Sequence, residues 1–154
     1  MKNIGNQGAF RLFLKEQNPA KVDRIVRALD PKIKASVDCL ECGMCCHILE
    51  IPMADNDIVR IASLSKVSKE TYMQNNIKFA KDDGLYYMKA TPCRFLDGNF
   101  CTIYESRPTA CRAFPFTDKP DFTSRTIMMM ENAEFCPIVE KLLDELKFAL
   151  GYDD

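Results

Sequence analysis

Cys39, Cys42, Cys45 and Cys46 lie together in Cys39-Leu-Glu-Cys42-Gly-Met-Cys45-Cys46, two residues apart and then side by side. Two residues between cysteines let consecutive thiolates fold around one centre, as in zinc knuckles and ferredoxin-like loops. The chain holds 8 cysteines in 154 residues, and the other four are Cys93, Cys101, Cys111 and Cys136. All eight are candidate metal ligands, so the fold is expected to return the later ones onto the first cluster. A ferredoxin run reads Cys-x-x-Cys-x-x-Cys with a later Cys-Pro, and Cys136-Pro137 supplies that last element. This ranks an iron–sulfur cluster, of the four-iron type, ahead of zinc. Cys136 also stands at a predicted helix N-terminus, where backbone donors and the dipole favour an anionic thiolate or cluster. One four-thiolate cluster with spare cysteines and two four-thiolate sites are both stoichiometrically open.

Disulfides are the competing use of so many thiols. The N-terminal residues Met1 to Gly8 are polar, with no apolar signal region after them, which predicts a reducing cytosol. There a high cysteine density reads as metal-binding or catalytic. Adjacent Cys45 and Cys46 rarely meet disulfide geometry without strain. In an extended segment their side chains face opposite ways, so one is expected to ligate and the other to serve a second role. That role is a second metal, a redox thiol or a small buried hydrophobe.

Other polar residues are weighed beside the thiols. His47, the single histidine, carries an imidazole that suits zinc and iron, but its place next to two cysteines makes ligation awkward. Tyr104, Glu105, Arg107 and Arg112 form a polar group that either lines a site beside the metal or pairs Glu105 with a nearby arginine. Met128-Met129-Met130 reads as core filling rather than soft-metal binding. Asp55-Asn56-Asp57 lacks the glycine and terminal glutamate of a calcium loop and reads as a helix cap.

The elements that must position these residues follow from apolar spacing and punctuation. Phe10, Phe13 and Leu14, then Val22, Ile25, Val26 and Leu29, predict two helices, the second capped by Asn18 with Pro19 at its first position. Asp30-Pro31 is expected to end it. Residues 48–53 read as a short extended piece, followed by a helix from Asp55 or Asn56 through Leu64. Another helix runs from Ser68 to about Phe79. A strand over Gly84 to Ala90 leads into Cys93, and Asp97-Gly98 marks a hairpin that sets Cys93 near Cys101. Arg107-Pro108 opens a brief helix carrying Cys111 and stopping before Pro115. Arg125 to Met130 reads as a strand, and Pro137 to about Leu150 as an amphipathic helix on Ile138, Leu142, Leu143, Leu146 and Phe148, stopped by Gly151.

The fold class expected is α+β. One small domain, residues 1–154, is predicted to set helices around a short β-hairpin or sheet and a cysteine-lined metal centre. Within it, residues 1–37 form a helical packing segment, 39–137 the cysteine region and 137–150 the last helix. Hydrophobic residues make up 47% of the chain, ample for one core. The net charge is −1, from 21 basic and 22 acidic residues with no long single-sign block, so no nucleic-acid partner is expected. No apolar run approaches the roughly 18 residues of a membrane helix, so a soluble, cytoplasmic protein without a membrane partner is expected.

The same residues resemble the family named for Cys-x-x-Cys-x-x-Cys-Cys and described as zinc- or iron-chelating domains. The likeness runs from about residue 39 to 137. It rests on Cys39, Cys42, Cys45 and Cys46, on Asp57-Ile58-Val59-Arg60-Ile61, and on Pro92-Cys93-Arg94-Phe95-Leu96. It continues through Cys101-Thr102-Ile103-Tyr104-Glu105-Ser106-Arg107-Pro108, Cys111-Arg112-Ala113-Phe114-Pro115 and Cys136-Pro137. A larger branch is similar to the flagellin lysine N-methylases, for which an iron–sulfur cluster is implied. No G-x-G-x-x-G occurs in this chain, so methyl transfer is not expected. The expectation is a metal-binding protein whose cysteine-held iron–sulfur cluster works with a redox or protein partner. A zinc-folded interaction module without catalysis is the alternative.

Overall fold

The computed structural model describes residues 4–153. The chain is α+β: nine α-helices and two short 3-10 turns accompany two separate two-stranded antiparallel sheets among the described residues. It divides into two compact units, one comprising the described residues up to Asp38 and from Pro115 onward, the other Cys39–Phe114.

The first unit is all helical. α1 (Ile4–Glu16) and α2 (Pro19–Ala35) are separated by Asn18, whose side chain accepts from Lys21 N at 3.1 Å, as the sequence predicts. α2 does not stop at Pro31 but runs through it to Ala35. The buried stripe Val22, Val26, Ile33 continues past the proline, and buried Asp30 is held by the Thr117 hydroxyl and by Lys34 at 2.8 Å. Those interactions offset the hydrogen bond that proline removes from a helix interior. α8 (Thr126–Ala133) replaces the strand expected over Arg125 to Met130. A short apolar run does not separate helix from strand by periodicity, and here Met129, Met130 and Ala133 turn inward from one helical face. α9 (Pro137–Leu150) starts at Pro137 and ends at Gly151 with φ +68°, as expected, and buries Ile138, Leu142, Leu143 and Leu146. Phe148 is 86% exposed, so it is not part of that face. α9 packs on α2 and α8.

The second unit carries seven of the cysteines. Its cysteine segment is two helical turns, α3 (Cys39–Cys42) and α4 (Met44–Ile48), hinged at Gly43 with φ +59°. α5 (Asp55–Leu64) and α6 (Lys69–Asn76) follow, the latter capped by Ser68 on Thr71 N at 3.1 Å. α6 ends at Asn76, short of Phe79, because Ile77 to Ala80 are taken up as β1 (Ile77–Ala80), paired with β2 (Leu85–Met88). Ile51 and Met53 exchange backbone hydrogen bonds with Met88 and Tyr86 at 3.0 and 2.8 Å, so the extended piece before α5 lines the other edge of β2. A core of Ile51, Met53, Ile58, Ile61, Ala62, Tyr72, Ile77 and Met88 lies beneath, and Cys93 and Cys111 pack against it. β3 (Leu96–Asp97) and β4 (Phe100–Cys101) form the expected hairpin, turning at Gly98 with φ +60°. A 3-10 turn over Tyr104–Ser106 and then α7 (Thr109–Ala113) complete the unit.

Candidate metal centre

Cys45 and Cys46 lie on a helical turn rather than in an extended strand, so they do not point to opposite faces. Their sulfurs hydrogen-bond to each other. Cys39 opens α3 and is exposed, while Cys42 ends it half-buried. The Cys46 carbonyl accepts from Cys93 N at 2.8 Å, and the Cys93 carbonyl accepts from Leu96 N at 3.0 Å at the start of the hairpin. The backbone therefore ties the loop to the hairpin that ends in Cys101.

The thiols also act on one another electrostatically. Burial pushes Cys93 up, and negative charge at Cys46 and Cys101 adds to it, against the Phe95 N–H and Arg94. Cys101 is raised by burial and by Cys46, with the Ile103 N–H and Arg107 opposing. Cys111 is pushed up to about 12 by burial, then by Cys46, Cys93 and Cys101, with Arg107 opposing. Charge at Cys46 thus acts to raise Cys45, Cys93, Cys101 and Cys111 alike. Cys45 is raised by its hydrogen bond to Cys46, by burial and by charge at Cys46, Cys111 and Cys39. Cys46 is lowered to about 7 by the Cys45 hydrogen bond, against burial and with help from His47. Several thiolates this close repel one another, and a bound cation is what lets them ionise together.

None of the cysteines is joined in a disulfide among the described residues. Nor are three Cys, His, Asp or Glu side chains there close enough to hold a metal ion as they stand. The donor set itself fits, since thiolate is the ligand that zinc and iron–sulfur centres both take. Cys136 belongs to the first unit, buried at the N-cap of α9 as the sequence predicts.

The CxxCxxCC family model, described as "Putative zinc- or iron-chelating domain", matches residues 38–137. The chain belongs to this family. No curated protein and no solved structure matches it. Metal binding is the function that membership supports.

Two residues hold the thiol-bearing segments of this CxxCxxCC domain in ways the sequence did not show. Asn99, at the hairpin tip, donates through Nδ2 to the Glu41 carbonyl at 3.1 Å and accepts from His47 Nε2 at 3.0 Å, clamping α3 and α4 together. Its backbone approaches Gly43 so closely that a Cβ there would meet Asn99 O at 2.8 Å. The Asp97-Gly98 turn before it is legible in the sequence, but what Asn99 grips is not. Asp57 is read from sequence as part of a cap for its own helix, yet it is buried and caps α7. It accepts from Thr109 N and Oγ1, both at 3.0 Å, and pairs with Arg60 at 2.6 Å. Arg60 in turn reaches the carbonyls of Ser106 and Arg107, fixing the turn before Cys111.

The polar group of residues 104–112 is structural and electrostatic together. Arg107 lies 3.7 Å from the Tyr104 ring centroid and bonds the Tyr104 carbonyl at 2.6 Å, and its charge opposes the rise of both Cys101 and Cys111. Arg112 bonds the backbone carbonyls of Glu105 and Arg107. With Nε2 turned to Asn99, His47 has only Nδ1 left for a metal. Among the described residues, no helix is long and apolar enough to cross a membrane.

Proposed function

We propose that this chain is an iron–sulfur protein whose second unit holds a four-iron cluster with thiolates drawn from Cys39, Cys42, Cys45, Cys46, Cys93, Cys101 and Cys111. The observation that carries the reading is that the Cys93 N–H bonds the Cys46 carbonyl at 2.8 Å, that Cys101 pairs with Leu96 across the hairpin that follows, and that Cys93 and Cys111 pack against one core. Beside them the same unit carries Cys39, Cys42, Cys45 and Cys46, the closely spaced run that ferredoxin loops use, and that run favours a cluster over a single tetrahedral zinc. When bound, such a cluster supplies one-electron redox chemistry. The chain's own residues orient the thiols and tune their charge. Asn99 and Gly43 fix the loop, Asp57 and Arg60 fix α7, and Arg107 places positive charge beside Cys101 and Cys111. Such a cluster would work with a redox or protein partner.

Metal and acid-labile sulfide analysis with an absorption spectrum, on protein purified without oxygen or added metal, tests this. Brown protein with iron and sulfide in comparable amounts is expected. Colourless protein with stoichiometric zinc would overturn it in favour of a second reading, which the family description supports by naming zinc beside iron. In that reading zinc folds an interaction module with no chemistry of its own.

A further inference from the structure

The β1–β2 hairpin is covered along one edge only. Met53 N donates to the Tyr86 carbonyl at 2.8 Å and Met88 N to the Ile51 carbonyl at 3.0 Å, so residues 51–53 occupy the outer edge of β2. On the inner side Lys89 N donates to the Asn76 carbonyl at 2.9 Å, and β1 pairs Ile77 with Met88 and Phe79 with Tyr86. Alternate residues supply the bonds of an antiparallel ladder, so Asn76, Lys78 and Ala80 face β2 while the backbone groups of Ile77 and Phe79 face away from it. Among the described residues no further strand joins β1 on that side. The Ile77 N–H is given to the Met73 carbonyl at the end of α6. What the open edge offers is therefore the Phe79 N–H, the Phe79 C=O and the Ile77 C=O.

Open strand edges template pairing with another chain, and natural sheets blunt them with charge or proline. Here the charge is drawn inward. Lys78, the one charged residue of β1, reaches over β2 to Glu50 Oε1 at 2.6 Å, toward the far side of the sheet. On the opposite face Phe79 is 53% and Tyr86 40% exposed, with their rings 5.2 Å apart.

We propose that β1 is a dimerisation edge, paired antiparallel with β1 of a second copy of this chain about a two-fold axis at Phe79. In that register each Phe79 N–H donates to the Phe79 C=O of the other copy, so the one free donor of the edge is met by symmetry. Lys78 lies opposite Ala80, and Phe79 opposite Phe79, which carries the aromatic row across four strands. An axis at Lys78 instead would set lysine against lysine and call on the Ile77 N–H that α6 has taken. The self-complementary register is what favours a second copy over a foreign strand. A four-residue strand and two rings a side fall short of the roughly 800 Å² per partner of a stable complex, so the dimer is weak and concentration-dependent.

The test is mass by sedimentation equilibrium over a concentration series of the full chain as purified. Wild type is expected to rise from 17.6 kDa toward twice that mass as concentration increases into the millimolar range. Phe79→Glu and Phe79→Lys each set like charges on the axis, and each alone is expected to stay monomeric. Mixed in equal amounts, the two are expected to dimerise again. Phe148→Glu, at a position 86% exposed on α9, is expected to behave as wild type. Wild type that stays monomeric at every concentration overturns the proposal and leaves the edge to an extended segment of another protein. Dimerisation that survives in Phe79→Glu alone, or a charge-swapped mixture that stays monomeric, also overturns it. Should the Phe79 variants fail to fold, isotope-filtered NMR on mixed labelled and unlabelled wild type decides. Contacts between Phe79 rings of different chains support the edge, and intermolecular contacts elsewhere without them overturn it.

Discussion

Cys45 and Cys46 are chemically identical neighbours made unlike by their surroundings. Each sulfur's pKa is set by the hydrogen bond between them, which stabilises the thiolate of Cys46 and the thiol of Cys45. Because the thiolate is the nucleophile, a lowered pKa means reaction at lower pH. In metal-stripped protein, alkylation read by mass spectrometry is expected to modify Cys46 with a midpoint near its value of about 7. Cys45 should stay unmodified to much higher pH, and Cys111, pushed up to about 12, should react only in strong alkali. At the same scale, Gly43 combines φ +59° with the Asn99 backbone within 2.9 Å of a would-be Cβ. Gly43→Ala therefore adds both left-handed strain and a backbone clash, and a loss of about 2 kcal/mol in urea unfolding is expected. The glycine could be read from the sequence, whereas the requirement for it could not, because Asn99 approaches from a distant part of the chain.

The elements are held to one another by a few buried polar ties as much as by apolar faces. Asp57 links α5 to α7: burial acts to raise its carboxyl, but Thr109 and Arg60 outweigh it and hold the group below the usual carboxylate range. A depressed folded value means that its stabilisation is fully present above the unfolded pKa and is lost as pH falls through the folded one. Asp57→Asn is expected to cost about 2 kcal/mol near neutrality. It should also flatten the acid limb of a stability-against-pH curve below about pH 4, since the variant has no such proton to take up. In the first unit, Asp23 plays a related part by accepting from Asp121 N at 2.8 Å and Phe122 N at 2.9 Å. Element identity was legible where a cap or turn residue marked it, as at Asn18, Ser68, Asp97-Gly98 and Gly151. It failed at 77–80 and 126–133, where short apolar runs carry no decisive period and pairing partners or neighbouring helices chose the conformation.

Across the whole molecule, the cysteines and the helices divide between the two units, with seven thiols in residues 39–114. Binding energy at a metal site assembled by folding is folding energy, so its removal falls on the unit that holds the site. Stripping the metal is expected to speed amide hydrogen exchange across α5, β2 and α7 while leaving α2, α8 and α9 protected. Cys111→Ser should lose metal and order in that unit together, which metal analysis and exchange would show in one preparation. Uniform loosening of both units would contradict the prediction. By itself, the sequence determined the CxxCxxCC family, the α+β class and most helix ends, because cysteine spacing, caps and turns act over a few neighbouring residues. Only the tertiary structure decided that the Cys46 carbonyl takes the Cys93 N–H, that Asn99 grips the loop, that Asp57 caps a helix other than its own and that the Tyr72 hydroxyl has no partner among the described residues. Each of these depends on segments far apart in the chain packing together, and local periodicity carries no record of that.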